Sequence, residues 1–172
     1  GFSLIIRFFM TTFSSGNLIN GNVFPVIKGI DWKLLIIIIS VASMFIGNFV
    51  AIWQTSMKRI LAYSSIAQAG YILVGLVVGT KFGITAVMVY LGAYLFMNLG
   101  AFLCTVMIVN KIGSDDIEDM KGLAYRSPVV CTCMALFMLA LAGTPATVGF
   151  IGKFYLVSAL LQSGSAYIWL AV

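Results

Sequence analysis

Residues 128–162 read PVVCTCMALFMLALAGTPATVGFIGKFYLVSALLQ, a stretch of 35 residues that carries a single charge, Lys153. As one straight helix it would run about 50 Å, far more than a bilayer needs. Cut in two at Gly143-Thr144-Pro145 it gives pieces of about 16 residues, short of the roughly 20 that a span takes. A single span interrupted in the middle fits both lengths. Proline withholds a backbone donor and clashes with the preceding turn, so the pattern predicts local unwinding over 143–147. Backbone freed at membrane depth is tolerated only where protein buries it or a watered cavity takes it up.

The rest of the chain supports that setting. Of 172 residues, 62% are hydrophobic and 9% charged, with a mean hydropathy of +1.10. Soluble domains carry about 25% charged residues, so this composition cannot cover a water-facing surface. A soluble enzyme is excluded. So is a nucleic-acid binder, because the net charge of +5 comes from scattered basic residues with no cluster to neutralise phosphates. Uncharged runs of 24, 21, 29 and 26 residues occupy 34–57, 60–80, 82–110 and 127–152. Each can cross about 30 Å of hydrocarbon as a helix, and the alternation of a membrane barrel is absent. The fold class is therefore all-α, a polytopic transmembrane helical bundle.

The expected layout is one transmembrane domain over 1–172. It comprises a helix end at 1–13, a loop at 14–31, helices at 32–54, 60–79 and 82–110, a polar loop at 111–127, the broken helix at 128–162, and a helix start at 166–172. The apolar stretches at both ends are too short to span, which reads as an interior piece of a larger membrane protein. Lys58, Arg59, Lys111, Lys121 and Arg126 gather on one side, against Lys28, Lys33 and Lys81 on the other. The positive-inside rule assigns the first side to the cytoplasm or its organellar equivalent, with Lys58 and Arg59 as topology anchors. The acidic patch Asp115, Asp116, Glu118 and Asp119 reads as a solvated loop.

Lys153 is the candidate functional residue. It follows 26 uncharged residues and precedes 19 more, too deep to reach either interface easily. A lysine at bilayer centre costs about 2.5–3.5 kcal/mol on insertion scales. A cation kept at that cost beside a broken helix suggests a group that takes up and releases a proton. The plainer reading is a lysine near a helix end reaching for headgroups. Ser64 and Gln68 lie one turn apart on one face, and with Tyr71 they read either as interhelical hydrogen bonding or as part of a hydrated path to Lys153. Thr144, Pro145 and Thr147 would line its cavity. Cys104, Cys131 and Cys133 read as packing residues, and without histidine no metal site is expected.

Several motifs then occur in order: MKRILAYSSIAQAGYILVGL, YLFMNLGAF, GLAYRSP and LALAGTPATVGFIGKFYL. In that order and spacing they resemble the antiporter-like subunits of respiratory complex I, over nearly the whole chain. GFIGKFY is similar to the subunit N branch, which includes mitochondrial subunit 2. The resemblance implies two inverted helical repeats, each with a broken helix, of which this chain would hold mainly the second. It implies that Lys153 is the lysine of the second broken helix, engaged in proton translocation. Gln68 departs from the pattern, standing where many relatives carry histidine, so any relay there would pass through hydrogen bonds or water.

What the resemblance implies about function is a proton-translocating membrane-arm subunit of an NADH:quinone oxidoreductase. Such a subunit binds no cofactor of its own; NADH, FMN, iron–sulfur clusters and quinone would belong to partner subunits. Partners would be a neighbouring antiporter-like subunit and small helical subunits, in a bacterial inner membrane before a thylakoid or mitochondrial one. The alternatives are a subunit of a multi-chain sodium/proton antiporter and a non-conducting scaffold of the membrane arm.

Overall fold

The computed structural model describes residues 1–12 and 32–162. The expected loop 14–31 and helix start 166–172 lie outside the described residues. Within them every regular element is helical: α1 Phe2–Thr12, α2 Trp32–Ile52, α3 Met57–Val78, α4 Lys81–Ile112, α5 Leu123–Arg126, α6 Pro128–Ala142 and α7 Val148–Gln162, with a single 3-10 turn at Glu118–Met120 before α5. Helices α2, α3 and α4 are each long and apolar enough to cross a membrane.

α2 and α3 form an antiparallel hairpin. Glycines at 47 and 70 let the two backbones approach, since a Cβ on Gly47 would stand 2.8 Å from the Ala67 nitrogen. The Ser40 hydroxyl donates to the Gly70 carbonyl at 2.7 Å, tying the pair together. The opposite face of α2 is apolar and exposed, including Leu35, Ile38, Phe45 and Phe49. A face of that kind suits lipid or a neighbouring subunit and not water.

α4, 32 residues long and about 48 Å from end to end, organises the remainder. Its N-terminal part packs Ala86, Val87 and Tyr90 against Leu156, Ala159 and Leu160 of α7. Its C-terminal part packs Met97, Ala101 and Cys104 against Met134 and Leu141 of α6. The two 15-residue helices thus lie one after the other along the same neighbour. Each alone is about 22 Å, shorter than a bilayer core, and together they traverse it.

Element boundaries differ from the sequence expectation near charges. α3 begins at Met57 and not at 60, so Lys58 and Arg59 sit exposed in its first turn. α4 likewise takes in Lys81 and Lys111, and α2 stops at Ile52. Charge marks where a chain leaves the hydrocarbon, whereas a helix continues into water as long as its hydrogen bonds close. The segment 111–127 is also more ordered than a plain loop. Met57 N–H donates to the Asp115 carbonyl at 3.0 Å and Ile117 N–H to the Thr55 carbonyl at 3.0 Å. Ser56 Oγ donates to Asp115 Oδ2 at 2.6 Å. These bonds fasten the segment to the α2–α3 turn and put Lys58, Arg59 and Lys111 at one end of the bundle.

Candidate functional site

The break between α6 and α7 is built from its backbone outward. Gly143 ends α6 in the left-handed region, with φ 85°. Its N–H and that of Thr144 turn back to the carbonyls of Leu139 and Ala140. In an unbroken helix the next donors would be the amides of residues 145 and 146, directed at the Leu141 and Ala142 carbonyls. Pro145 has no amide hydrogen, and Ala146 is turned away at φ 72°. Among the described residues no main-chain donors reach the last two carbonyls of α6.

Lys153 takes their place. From the second turn of α7 its Nζ donates to the Leu141 oxygen at 3.1 Å and the Ala142 oxygen at 3.2 Å. The ammonium therefore sits at the C-terminal end of α6, where the helix dipole favours a positive charge. It also lies 4.9 Å from the centre of the Tyr71 ring. Gly143 leaves the room needed, because a Cβ there would meet Lys153 Cδ at 3.1 Å.

The Leu141 oxygen accepts a second bond, from Gln68 Nε2 at 3.1 Å. The other end of the Gln68 amide accepts from the Tyr90 hydroxyl. Tyr90 is completely buried and Gln68 nearly so. A continuous chain of contacts therefore runs Tyr90, Gln68, Leu141 carbonyl, Lys153, drawing on α4, α3, α6 and α7.

A cavity of about 620 Å³ opens beside it, lined by Asn48, Ser64, Gln68, Tyr71 and Lys153 together with Ala51, Ile52, Ile60, Met138, Leu141 and Ala142. None of these lining residues is a carboxylate. That volume holds many waters, and the polar groups around it can hydrogen-bond them. Ser64, Gln68, Tyr71 and Lys153 are thus brought together. Thr144, Pro145 and Thr147 are not among the described lining residues of this cavity. The threonine hydroxyls bond main chain instead: Thr144 Oγ1 donates to Leu139 O at 3.2 Å, and Thr147 Oγ1 donates to Thr144 O at 2.7 Å while accepting from Phe150 N–H. Short polar side chains at helix ends compete for backbone partners in this way. Thr147 is the N-terminal cap of α7. Lys58 and Arg59 lie away from the cavity, exposed at the bundle end.

Sequence reasoning missed Tyr90. The available signal was a tyrosine in the middle of an uncharged run, where a buried phenol needs a hydrogen-bond partner.

Residues 3–172 match the family described as NADH:quinone oxidoreductase/Mrp antiporter, TM. The chain is 47% identical over 172 residues to NADH-quinone oxidoreductase subunit N 2 of Chloroherpeton thalassium, covering all of this chain and 33% of that one. It therefore spans about a third of the length of that curated relative. Among solved structures it is similar to a chain of the Mrp complex from Dietzia, with a TM-score of 0.74 and 28% identity over 83% of this chain and 27% of that chain. It is also similar to a chain of respiratory complex I from Thermus thermophilus with bound Aureothin, with a TM-score of 0.65 and 30% identity over 80% of this chain and 31% of that chain.

Proposed function

The chain belongs to the NADH:quinone oxidoreductase/Mrp antiporter transmembrane family, and from that premise we propose that it forms part of the proton path in a membrane-arm subunit of a quinone-reducing complex. The observation that carries this reading is the setting of Lys153. Its ammonium is held by two main-chain carbonyls at a helix break and faces a cavity lined by Asn48, Ser64, Gln68 and Tyr71, with no carboxylate among the described lining residues. A structural lysine is best served by a fixed counter-anion, whereas neutral partners leave the proton free to depart.

In this reading a proton arrives through water in the cavity, rests on Lys153 and leaves when a change of charge elsewhere in the complex makes the site less favourable. Coupling between distant charged sites is reciprocal, so proton occupancy here also biases the partner site. Electron transfer belongs to partner subunits, which would hold the flavin, the iron–sulfur clusters and the quinone. The bacterial relative makes a bacterial plasma membrane the proposed home. A sodium/proton antiporter subunit is the second reading. Identity of 47% to a subunit N chain against 28% to the Mrp chain favours the first.

The test uses vesicles carrying the full-length parent complex, with quinone reduction and proton-gradient formation recorded together. Lys153→Ala is expected to cut protons moved per electron at least several-fold in an assembled complex, and Lys153→Arg to retain part of the flux. Parental ratios for both variants would leave Lys153 a packing residue and the chain a scaffold.

A further inference from the structure

We propose that Tyr90 is a positioning residue for Lys153, acting through the Gln68 amide, an inference that deepens the proton-path reading and rests on it. The orientation of Gln68 follows from hydrogen-bond chemistry. The Leu141 carbonyl can only accept, so the amide group facing it at 3.1 Å is the NH2 end. The Gln68 oxygen therefore faces Tyr90, and the phenol is the donor. With both lone pairs of the Leu141 oxygen used, by Gln68 Nε2 and Lys153 Nζ, two donors converge on one atom.

That convergence places the Gln68 amide beside the ammonium with its donor end forward. Two donors on one oxygen each bind it less strongly than one alone, so an amide that slipped off the Leu141 oxygen would leave that oxygen wholly to the ammonium. The Tyr90 hydroxyl opposes this by anchoring the other end of the amide. Its own position is fixed by packing, since the ring is fully buried and lies against Gly152, where a Cβ would stand 2.5 Å from Tyr90 Cδ2. Tyr90 thus touches the backbone next to Lys153 at its ring and the competitor for the lysine's carbonyl at its hydroxyl. It keeps Gln68 on the Leu141 oxygen, so that the ammonium shares that acceptor and is held loosely enough to release.

The experiment uses the assembled complex with the full-length chain, comparing the parent, Tyr90→Phe, Gln68→Leu and the double variant. Assembly is checked by subunit content. The first readout is acylation of Lys153 by acetic anhydride at one fixed pH, followed by mass spectrometry and normalised to exposed Lys58. The second is protons moved per electron in vesicles. In Tyr90→Phe the amide loses its anchor and leaves the Leu141 oxygen to Lys153, and both readouts should fall by about fivefold, the factor set by one ordinary hydrogen bond. In the Gln68→Leu background the amide is already gone, so adding Tyr90→Phe should change both readouts by less than about twofold. A phenol that only fills space predicts the same fall in both backgrounds. An unchanged acylation rate in Tyr90→Phe, or an equal fall when it is added to Gln68→Leu, overturns the proposal. Acylation follows the lysine whether or not it pumps. A normal proton ratio in Lys153→Ala therefore sinks the proton-path reading alone, while the acylation series still decides the role of Tyr90.

Discussion

Lys153 supplies to the Leu141 carbonyl the donor that Pro145 withholds. In a regular helix residue 145 would close its bond onto residue 141. Here proline cannot, and an ammonium eight positions beyond it reaches back over the break to the same oxygen at 3.1 Å. The residue that opens the helix and the residue that occupies the opening thus depend on one atom.

Restoring the missing amide should therefore displace the lysine. Pro145→Ala offers the Leu141 oxygen a main-chain donor and lets Ala146 leave its left-handed conformation, which costs of order 1–3 kcal/mol in a non-glycine residue. The expected outcome is a chain of equal or greater thermal stability whose proton movement falls several-fold. Thermal unfolding of the purified complex, recorded beside the proton-to-electron ratio, checks it. A variant that loses stability and keeps its ratio would contradict the shared-atom account.

Packing at the break should be intolerant in one place and indifferent in another. A Cβ on Gly149 would stand 1.8 Å from the Ala140 carbonyl oxygen, a main-chain atom with nowhere to go, whereas one on Gly92 would meet nothing within 4 Å. Gly149→Ala is expected to destabilise by about 3 kcal/mol or more and to deplete the chain from the membrane fraction. Gly92→Ala should stay within about 0.5 kcal/mol of the parent. Quantifying both by immunoblot of isolated membranes separates the cases.

The bundle end should loosen in acid. The Ser56 hydroxyl, with the Lys58 charge in support, holds the Asp115 carboxyl below the usual carboxylate value. A group whose folded value is depressed stabilises fully above its unfolded value, near 3.9, and loses that contribution as pH falls through the folded one. Hydrogen exchange at the Met57 and Ile117 amides, which bond the same fastening, should therefore accelerate as pH drops below about 4, after correction for intrinsic rates. Asp115→Asn should exchange faster at neutral pH and lose that pH dependence.

The helical bundle was legible because charges are so sparse that the uncharged intervals nearly coincide with the spans. Gly143 and Pro145 announced the break, and Ser64 and Gln68, a turn apart, announced a shared polar face. What stayed hidden depended on which neighbour a side chain would find. Thr144 and Thr147 looked like cavity groups because they are polar and deep, yet the nearest unsatisfied partners of such short side chains are their own helix ends. Tyr90 escaped notice because its partner lies on another helix, 22 positions away. No spacing rule links those two positions.

The way α4 runs beside both α6 and α7 has a mechanical consequence. Between 143 and 147 no continuous ladder of helical hydrogen bonds carries load along the axis, so a push on one half is not handed directly to the other. Stiffness in that span is borrowed sideways, from an unbroken strut that both halves lean on. Either half can then tilt about the joint without shortening its partner, and the part that feels such a tilt first is the amine bridging the joint.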